Sequence, residues 1–312
     1  MRAIGLREWG GPEVLSVLEL PDPVPGPDEV LVRVQAAAVN PTDTALRSGA
    51  RADRLRDVPA PHVPGMDAAG EVAALGPAAG TDLSVGELVM AVVVPHGSRG
   101  AYAELVAVPI DSVVPVPAGA SLAEAATLPM NGLTATMALD QLDLRPGQTL
   151  GVTGAAGTLG GYVIELAKVG GLRVVADAAA DDEALVRRLG ADVVVPRGPD
   201  VAERMRAAVP AGVDGLVDAA VQNALVTGAV RDGGQVATVR GYEADAERGV
   251  RFRPVWVREY ARERAKLDRL RRLVEDRRLT LRVARTYPAS AAANAHRALE
   301  AGGVRGRLVL EW

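Results

Sequence analysis

Apolar residues follow two different rhythms along this chain. Up to about Gly119 they form short valine- and alanine-rich runs: Glu29–Ala38, Gly70–Leu75, Val85–Val94, Ala101–Val108 and Ser112–Val116. Proline and glycine separate these runs, and prolines at 21, 23, 25 and 27 mark an extended connection ahead of Glu29. Closely spaced strand-length runs broken by turn residues predict a compact all-β unit. From Ser121 the rhythm changes. Ser121-Leu-Ala-Glu124 has the spacing of a capping box at the start of an alanine-rich helix. Beyond Gln148, strand-like segments (Thr149–Thr153, Leu172–Ala176, Asp192–Val195, Gly215–Val217, Gln235–Val239) alternate with helical ones (Leu159–Val169, Asp182–Leu189, Val201–Ala208, Asn223–Val230). Such alternation predicts an α/β fold with a doubly wound parallel sheet. A charged amphipathic helix is expected near Tyr260–Asp276. Short strands at Thr280–Arg285 and Arg307–Leu310 follow, with a helix over Ala289–Ala301 between them.

Composition narrows the class. With 312 residues, 48% hydrophobic and 24% charged, the chain is long enough for two cores. A net charge of −4 and 3% aromatic residues argue against a nucleic-acid surface or an anionic-membrane patch. There is no cysteine, which excludes disulfides, thiol nucleophiles and thiolate zinc sites. The start lacks the basic-then-apolar pattern of a secretory signal, and no apolar run reaches the ~18 residues of a membrane span. The expectation is a soluble, cytoplasmic protein.

The clearest chemical signal is a glycine turn. The apolar strand Thr149-Leu-Gly-Val-Thr153 runs straight into Gly154-Ala155-Ala156-Gly157-Thr158-Leu159-Gly160-Gly161, and an apolar helix follows. Glycines there let the backbone bend tightly and let a pyrophosphate approach main-chain N–H groups at the positive end of the helix. The spacing is G-x-x-G-x-x-G, which is weak alone; its strand-turn-helix setting and the further β/α units make it a nicotinamide dinucleotide site. The second strand ends at Asp177, an acidic residue placed to accept the adenosine ribose hydroxyls and to repel a 2′-phosphate. The next residues, Ala178–Asp182, carry no Lys or Arg, which favours NADH.

Several segments together resemble the zinc-free medium-chain dehydrogenases/reductases of the quinone oxidoreductase (zeta-crystallin-like) branch. They are Val39-Asn-Pro-Thr-Asp-Thr-Ala-Leu-Arg-Ser-Gly49, Val63-Pro-Gly-Met-Asp-Ala-Ala-Gly-Glu-Val72, Gly100-Ala-Tyr-Ala-Glu104, Leu128-Pro-Met-Asn-Gly-Leu-Thr-Ala135, the glycine turn, Gly190-Ala-Asp192, Asp214–Ala219, Ala295-His296 and Gly303–Leu310. The resemblance implies a GroES-like β domain, residues 1–120 plus 280–312, with the Rossmann domain of residues 121–279 inserted in it. It also implies a homodimer and an active site in the cleft between the domains. Zinc-dependent relatives carry Cys where Asn40 stands and His where Met66 stands. Three histidines without any cysteine leave no convincing zinc triad.

The same resemblance implies that Asn40 lies beside the nicotinamide, that Thr134 belongs to the cofactor region, and that Arg305 lies in a C-terminal cofactor-contacting loop. Two departures stand out. Relatives often have Tyr where this chain has Ala45, which implies a roomier substrate site. Arg197 replaces an aromatic residue found near the adenosine phosphate of NADPH-using relatives, and its guanidinium could restore NADPH against Asp177.

A metal-free site suits an acceptor that spreads the incoming charge onto oxygen. The expected reaction is therefore hydride transfer from NAD(P)H to a quinone or an α,β-unsaturated carbonyl, with positioning carrying most of the catalysis. His96, in a glycine-rich loop, is a candidate proton donor beside Asn40. Asp43 and Asp67 read as residues that fix loops, and His62 and His296 as structural. The alternative from another class is a dinucleotide-binding sensor with little catalysis.

Overall fold

A computed structural model describes residues 1–50, 52–244 and 247–312. The chain groups into two compact units. The first is Met1–Met130 with Ala261–Asp276 and Leu281–Trp312; the second is Asn131–Tyr260 with Arg277–Thr280.

The first unit opens with a hairpin of β1 (Arg2–Gly5) and β2 (Ser16–Glu19). Strand β3 (Glu29–Ala38) leads into helix α1 (Pro41–Arg47), and β4 (Asp67–Leu75), β5 (Leu88–Val92), β6 (Leu105–Pro109) and β7 (Val113–Pro115) follow. Along β3, Val30, Val32 and Val34 are buried while Arg33 is exposed, which is the period of a half-buried strand. Ala36, Ala37 and Ala38 are then buried in succession. At the crossing of β3 and β4 the register shifts, and a Cβ on Gly70 would lie 1.9 Å from the Arg33 carbonyl oxygen, so only glycine fits. The short helix α2 (Leu122–Ala125) has the capping box read from the sequence: Ser121 Oγ accepts from the Glu124 N–H, and the Glu124 carboxylate accepts from the Ser121 N–H.

Helix α3 (Pro129–Leu142) leads to the second unit's β8 (Thr149–Thr153), α4 (Thr158–Val169), β9 (Arg173–Ala178), α5 (Glu183–Arg188), β10 (Val193–Pro196), α6 (Val201–Ala208), β11 (Val213–Asp218), β12 (Val230–Thr238) and β13 (Arg251–Pro254). Its strands are all parallel, in the order β10-β9-β8-β11-β12-β13. This is the doubly wound order, which reverses between β8 and β11; ligands of such sheets bind at that switch. Leu150, Val152, Val174, Val175, Leu216 and Val236 are buried, as strands covered on both faces require.

The chain then adds α7 (Arg264–Glu275), β14 (Val283–Pro288), α8 (Ala292–Ala301) and β15 (Arg307–Glu311), all of which group with the first unit. There, β15 pairs antiparallel with β3 and parallel with β14, giving the sheet order β14-β15-β3-β4-β5-β7 with β6 also on β3.

Several expectations need correction. The segment Asn223–Ala229 is a 3₁₀ helix, not an α-helix: Asn223 enters it with φ +58°, and the run is seven residues holding Val226, Thr227 and Gly228. The amphipathic helix starts at Arg264, four residues later than its charge pattern implied, and groups with the first unit although residues up to 279 were assigned to the Rossmann domain. Residues 121–130 also group with the first unit. The run Ala101–Val108 becomes strand only at Leu105. The hairpin β1–β2, helix α1 and edge strand β13 carried too little apolar periodicity to be read.

Candidate functional site

In the first unit a buried polar cluster forms where β3 runs into α1. Asn40 is the N-cap of α1, with Pro41 at the first helical position. Its backbone N–H donates to the Asp43 carboxylate at 2.8 Å, and the other Asp43 oxygen accepts from the Gly65 N–H at 2.9 Å. Asn40 Nδ2 donates to Asp67 at 2.8 Å; Asp67 also accepts from the Met130 N–H and, at 3.2 Å, from the Arg307 guanidinium. Asn40 and Asp67 are wholly buried, and Asp43 and Arg307 nearly so. The aspartates thus pin the loops at Gly65 and Met130, the role the sequence assigned them. Asn40 Oδ1 is buried without a hydrogen-bond partner, an acceptor left for a donor that the chain does not supply.

The cluster continues through groups that sequence reading left out of the site. The Tyr102 hydroxyl lies 3.3 Å from Asp43 and 3.2 Å from His296 Nε2. Arg47, buried on α1, pairs with Glu300 on α8. Burial pushes the Asp43 carboxyl up to about 6, against the pull of the Asn40 and Gly65 N–H groups. Burial, with the Arg47 charge adding to it, pushes His296 down to about 3, so the ring is neutral. Burial raises Asp67 too, opposed by Arg307. Arg307 and Tyr102 lie in segments already singled out, but as charges and rings in short strands they carried no signal of mutual contact.

In the second unit the glycine turn sits at the C-terminal end of β8. Gly154 has φ +65°, the left-handed region open to glycine. A Cβ on Gly160 would meet the Gly154 carbonyl oxygen at 2.3 Å and Ala155 Cα at 2.8 Å, so the helix rests directly on the turn. Gly157 is the N-cap of α4, and Thr158 and Leu159 begin it. The residues fit a dinucleotide: a turn stripped of side chains presents main-chain N–H groups at a helix N-terminus, beside the switch point of the sheet. Asp177 stands near the end of β9, 4% exposed, with Oδ1 accepting from the Ala155 N–H at 3.1 Å. Arg197 follows β10 on the surface, close enough for its charge to lower the Asp177 pKa, while burial raises it more. Thr134 is buried on α3.

The remaining candidates lie in the first unit. Arg305 is half-buried ahead of β15. His96 is exposed in a tight hairpin closed against Arg99, and among the described residues no hydrogen bond joins it to Asn40 or Asp43. Ala45 is half-buried on α1. The Thr42 hydroxyl donates to Met66 Sδ at 3.1 Å, so the position that is His in zinc-dependent relatives here holds a thioether. No group of three or more metal-ligating side chains gathers among the described residues.

Residues 26–118 match the alcohol dehydrogenase GroES-like domain, and residues 189–310 match the zinc-binding dehydrogenase family. A solved NAD-dependent alcohol dehydrogenase is 32% identical, with a TM-score of 0.87 over 100% of both chains. The chain belongs to the medium-chain dehydrogenase/reductase family. The quinone oxidoreductase from Coxiella burnetii is 28% identical, with a TM-score of 0.88 over 100% of this chain and 99% of that one. An NADPH-dependent alkenal/one oxidoreductase of Arabidopsis thaliana is 34% identical over 77% of this chain and 63% of its own length. The chain spans 57% to 63% of the length of the curated relatives it matches first.

Proposed function

We propose that this chain is an oxidoreductase that reduces a quinone or an α,β-unsaturated carbonyl with NAD(P)H, without a metal. The observation that carries the cofactor half is the Gly160 contact: no side chain fits between α4 and the turn, as a pyrophosphate cradle requires. Gly154, Ala155, Ala156, Gly157, Thr158, Leu159 and Gly160 form that cradle. The relatives named for quinone, for alkenal/one and for NADPH support the reaction class.

Bound NAD(P)H would supply a hydride. Asn40 Oδ1, held by the Nδ2 bond to Asp67, offers a fixed acceptor for a donor on the nicotinamide or the substrate. Thr134 and Arg305 are assigned to the cofactor, and the exposed Arg197 to a 2′-phosphate. On the acceptor, hydride addition moves an electron pair onto the carbonyl oxygen, and a proton from water completes the product; exposed His96 is the side-chain candidate for that proton. The carboxamide of Asn40 and the thioether of Met66 do not fit a zinc ion, although one matched family is described as zinc-binding. The net charge of −4 gives no support to nucleic-acid binding, and among the described residues no helix is long and apolar enough to cross a membrane. The working form is taken as a cytoplasmic homodimer, as the family resemblance implies.

The test is NAD(P)H oxidation with a panel of quinones and enals, on protein treated with a chelator and on untreated protein. Turnover unaffected by chelation is expected, and Arg197→Ala should raise Kd for NADPH about tenfold while leaving NADH within about twofold. Cofactor binding without turnover of any panel member would turn the assignment toward a dinucleotide sensor.

A further inference from the structure

The dinucleotide turn is flanked by two buried carboxylates. Strands β9 and β11 lie on either side of β8, and each brings an aspartate to its C-terminal end: Asp177, 4% exposed, and Asp218, fully buried. Asp218 is saturated by the protein itself. Its Oδ1 accepts from Thr153 Oγ1 at 2.6 Å and its Oδ2 from the Asn223 N–H at 2.7 Å, which fits an anion. Asp177 instead spends its bond on the turn, through the Ala155 N–H, with the Gly154 N–H contributing. The charged groups facing Asp177 are Asp218, beyond β8, and the exposed Arg197 that follows β10.

Two consequences follow from that placement. A carboxylate with one oxygen on the turn cannot offer both oxygens to the two ribose hydroxyls, as the sequence led us to expect. It also lays a negative charge against the N–H groups that a diphosphate needs.

We propose that Asp177 is a positioning residue of the dinucleotide site, one that anchors the Gly154–Ala155 turn and takes up a proton when a diphosphate binds. The proposal rests on the dinucleotide reading above. Anchoring needs only an acceptor oxygen, which a neutral carboxyl retains; ionisation adds repulsion with no gain in geometry. Burial already favours the protonated form of Asp177, and the incoming anion favours it further. By linkage, each unit by which binding raises its pKa makes Kd about tenfold tighter on the acid side of the transition than on the alkaline side.

The experiment measures Kd for NADPH by fluorescence from pH 5.5 to 8 with the unsubstituted protein, Asp177→Asn and Asp177→Ala. Asparagine keeps the acceptor and removes the charge. The ratio of unsubstituted Kd to Asp177→Asn Kd should rise at least about threefold over this range. Titration of the cofactor's own phosphates cancels in the ratio. Asp177→Ala should bind about tenfold more weakly than Asp177→Asn at every pH, because it loses the anchor. Calorimetry with NADH on the unsubstituted protein, in two buffers of different ionisation heat, should show net proton uptake near pH 6, a readout that needs no variant to fold.

Parallel profiles for the unsubstituted protein and Asp177→Asn, or an alanine variant that binds like the asparagine one, would overturn the proposal while leaving the dinucleotide site intact. Absence of binding by the unsubstituted protein at every pH would overturn the dinucleotide reading itself and this inference with it.

Discussion

Replacing His296 by asparagine should change how stability depends on pH in a way that packing alone cannot. His296 lies on α8 with no exposed surface; Nε2 is 3.2 Å from the Tyr102 hydroxyl, Nδ1 has no partner, and Arg47 supplies a nearby positive charge. Its pKa falls from 6.5 to about 3, mainly through burial. A group with a depressed folded pKa contributes stability that is present above 6.5 and is lost as pH falls toward 3, because the unfolded chain takes up the proton first. Each pH unit in that window corresponds to about 1.4 kcal/mol, so from pH 6.5 to 4.5 this residue should remove about 2.5 kcal/mol.

Asp43 works in the opposite sense. Its pKa is raised from 3.8 to about 6, so its contribution is fully present below 3.8 and is lost as pH rises through 6. Between pH 4 and 6 the two slopes nearly cancel in the unsubstituted protein. Asparagine at 296 leaves Asp43 titrating and removes the histidine term. Its cavity adds a pH-independent destabilisation of about 1–3 kcal/mol. Urea unfolding at pH 4.5, 5.5, 6.5 and 7.5 should therefore show the difference between His296→Asn and the unsubstituted protein shrinking by about 2.5 kcal/mol from pH 6.5 to 4.5. A difference constant to within ~0.5 kcal/mol would mean that the ring accepts a proton in the folded state, and the burial argument would fail.

Two further changes probe the scaffold. Gly160→Ala places a methyl group against the Gly154 carbonyl, so NADPH binding should weaken at least about tenfold; unchanged affinity would show that α4 can lift off the turn. Arg307→Met leaves the Asp67 carboxylate buried without its cation and should destabilise the protein by about 3–5 kcal/mol; a thermal shift equivalent to less than ~1 kcal/mol would mean that Asp67 is held neutral instead.

Legibility differed between the two units for a physical reason. In the second, function is local: strand, turn and helix are consecutive, so Thr149–Val169 announced both the Gly154 bend and the close packing at Gly160. Local signals also gave the Ser121 capping box and the half-buried period of β3. Where apolar periodicity was thin, as in the β1–β2 hairpin and α1, the elements went unread. Asn223–Ala229 was misread because a 3₁₀ run and a short α-helix share their composition. His96 shows the limit of residue type as a guide: its chemistry suits a proton donor, but its place is an exposed hairpin.

What the sequence determined by itself is whatever chemistry and spacing force within a few residues: the dinucleotide turn, the absence of thiolate ligands, and a sheet of doubly wound type. What only the tertiary structure decided is where side chains distant in sequence meet. Asp67 and Arg307 are 240 residues apart and Tyr102 and His296 are 194 apart, yet both pairs close buried contacts around Asn40 and Asp43. Asp177 is the sharpest case. Its position near a strand end was legible, but which way its carboxylate points depends on the packing of β9 against β8, and that packing turns a ribose contact into an anchor for the turn.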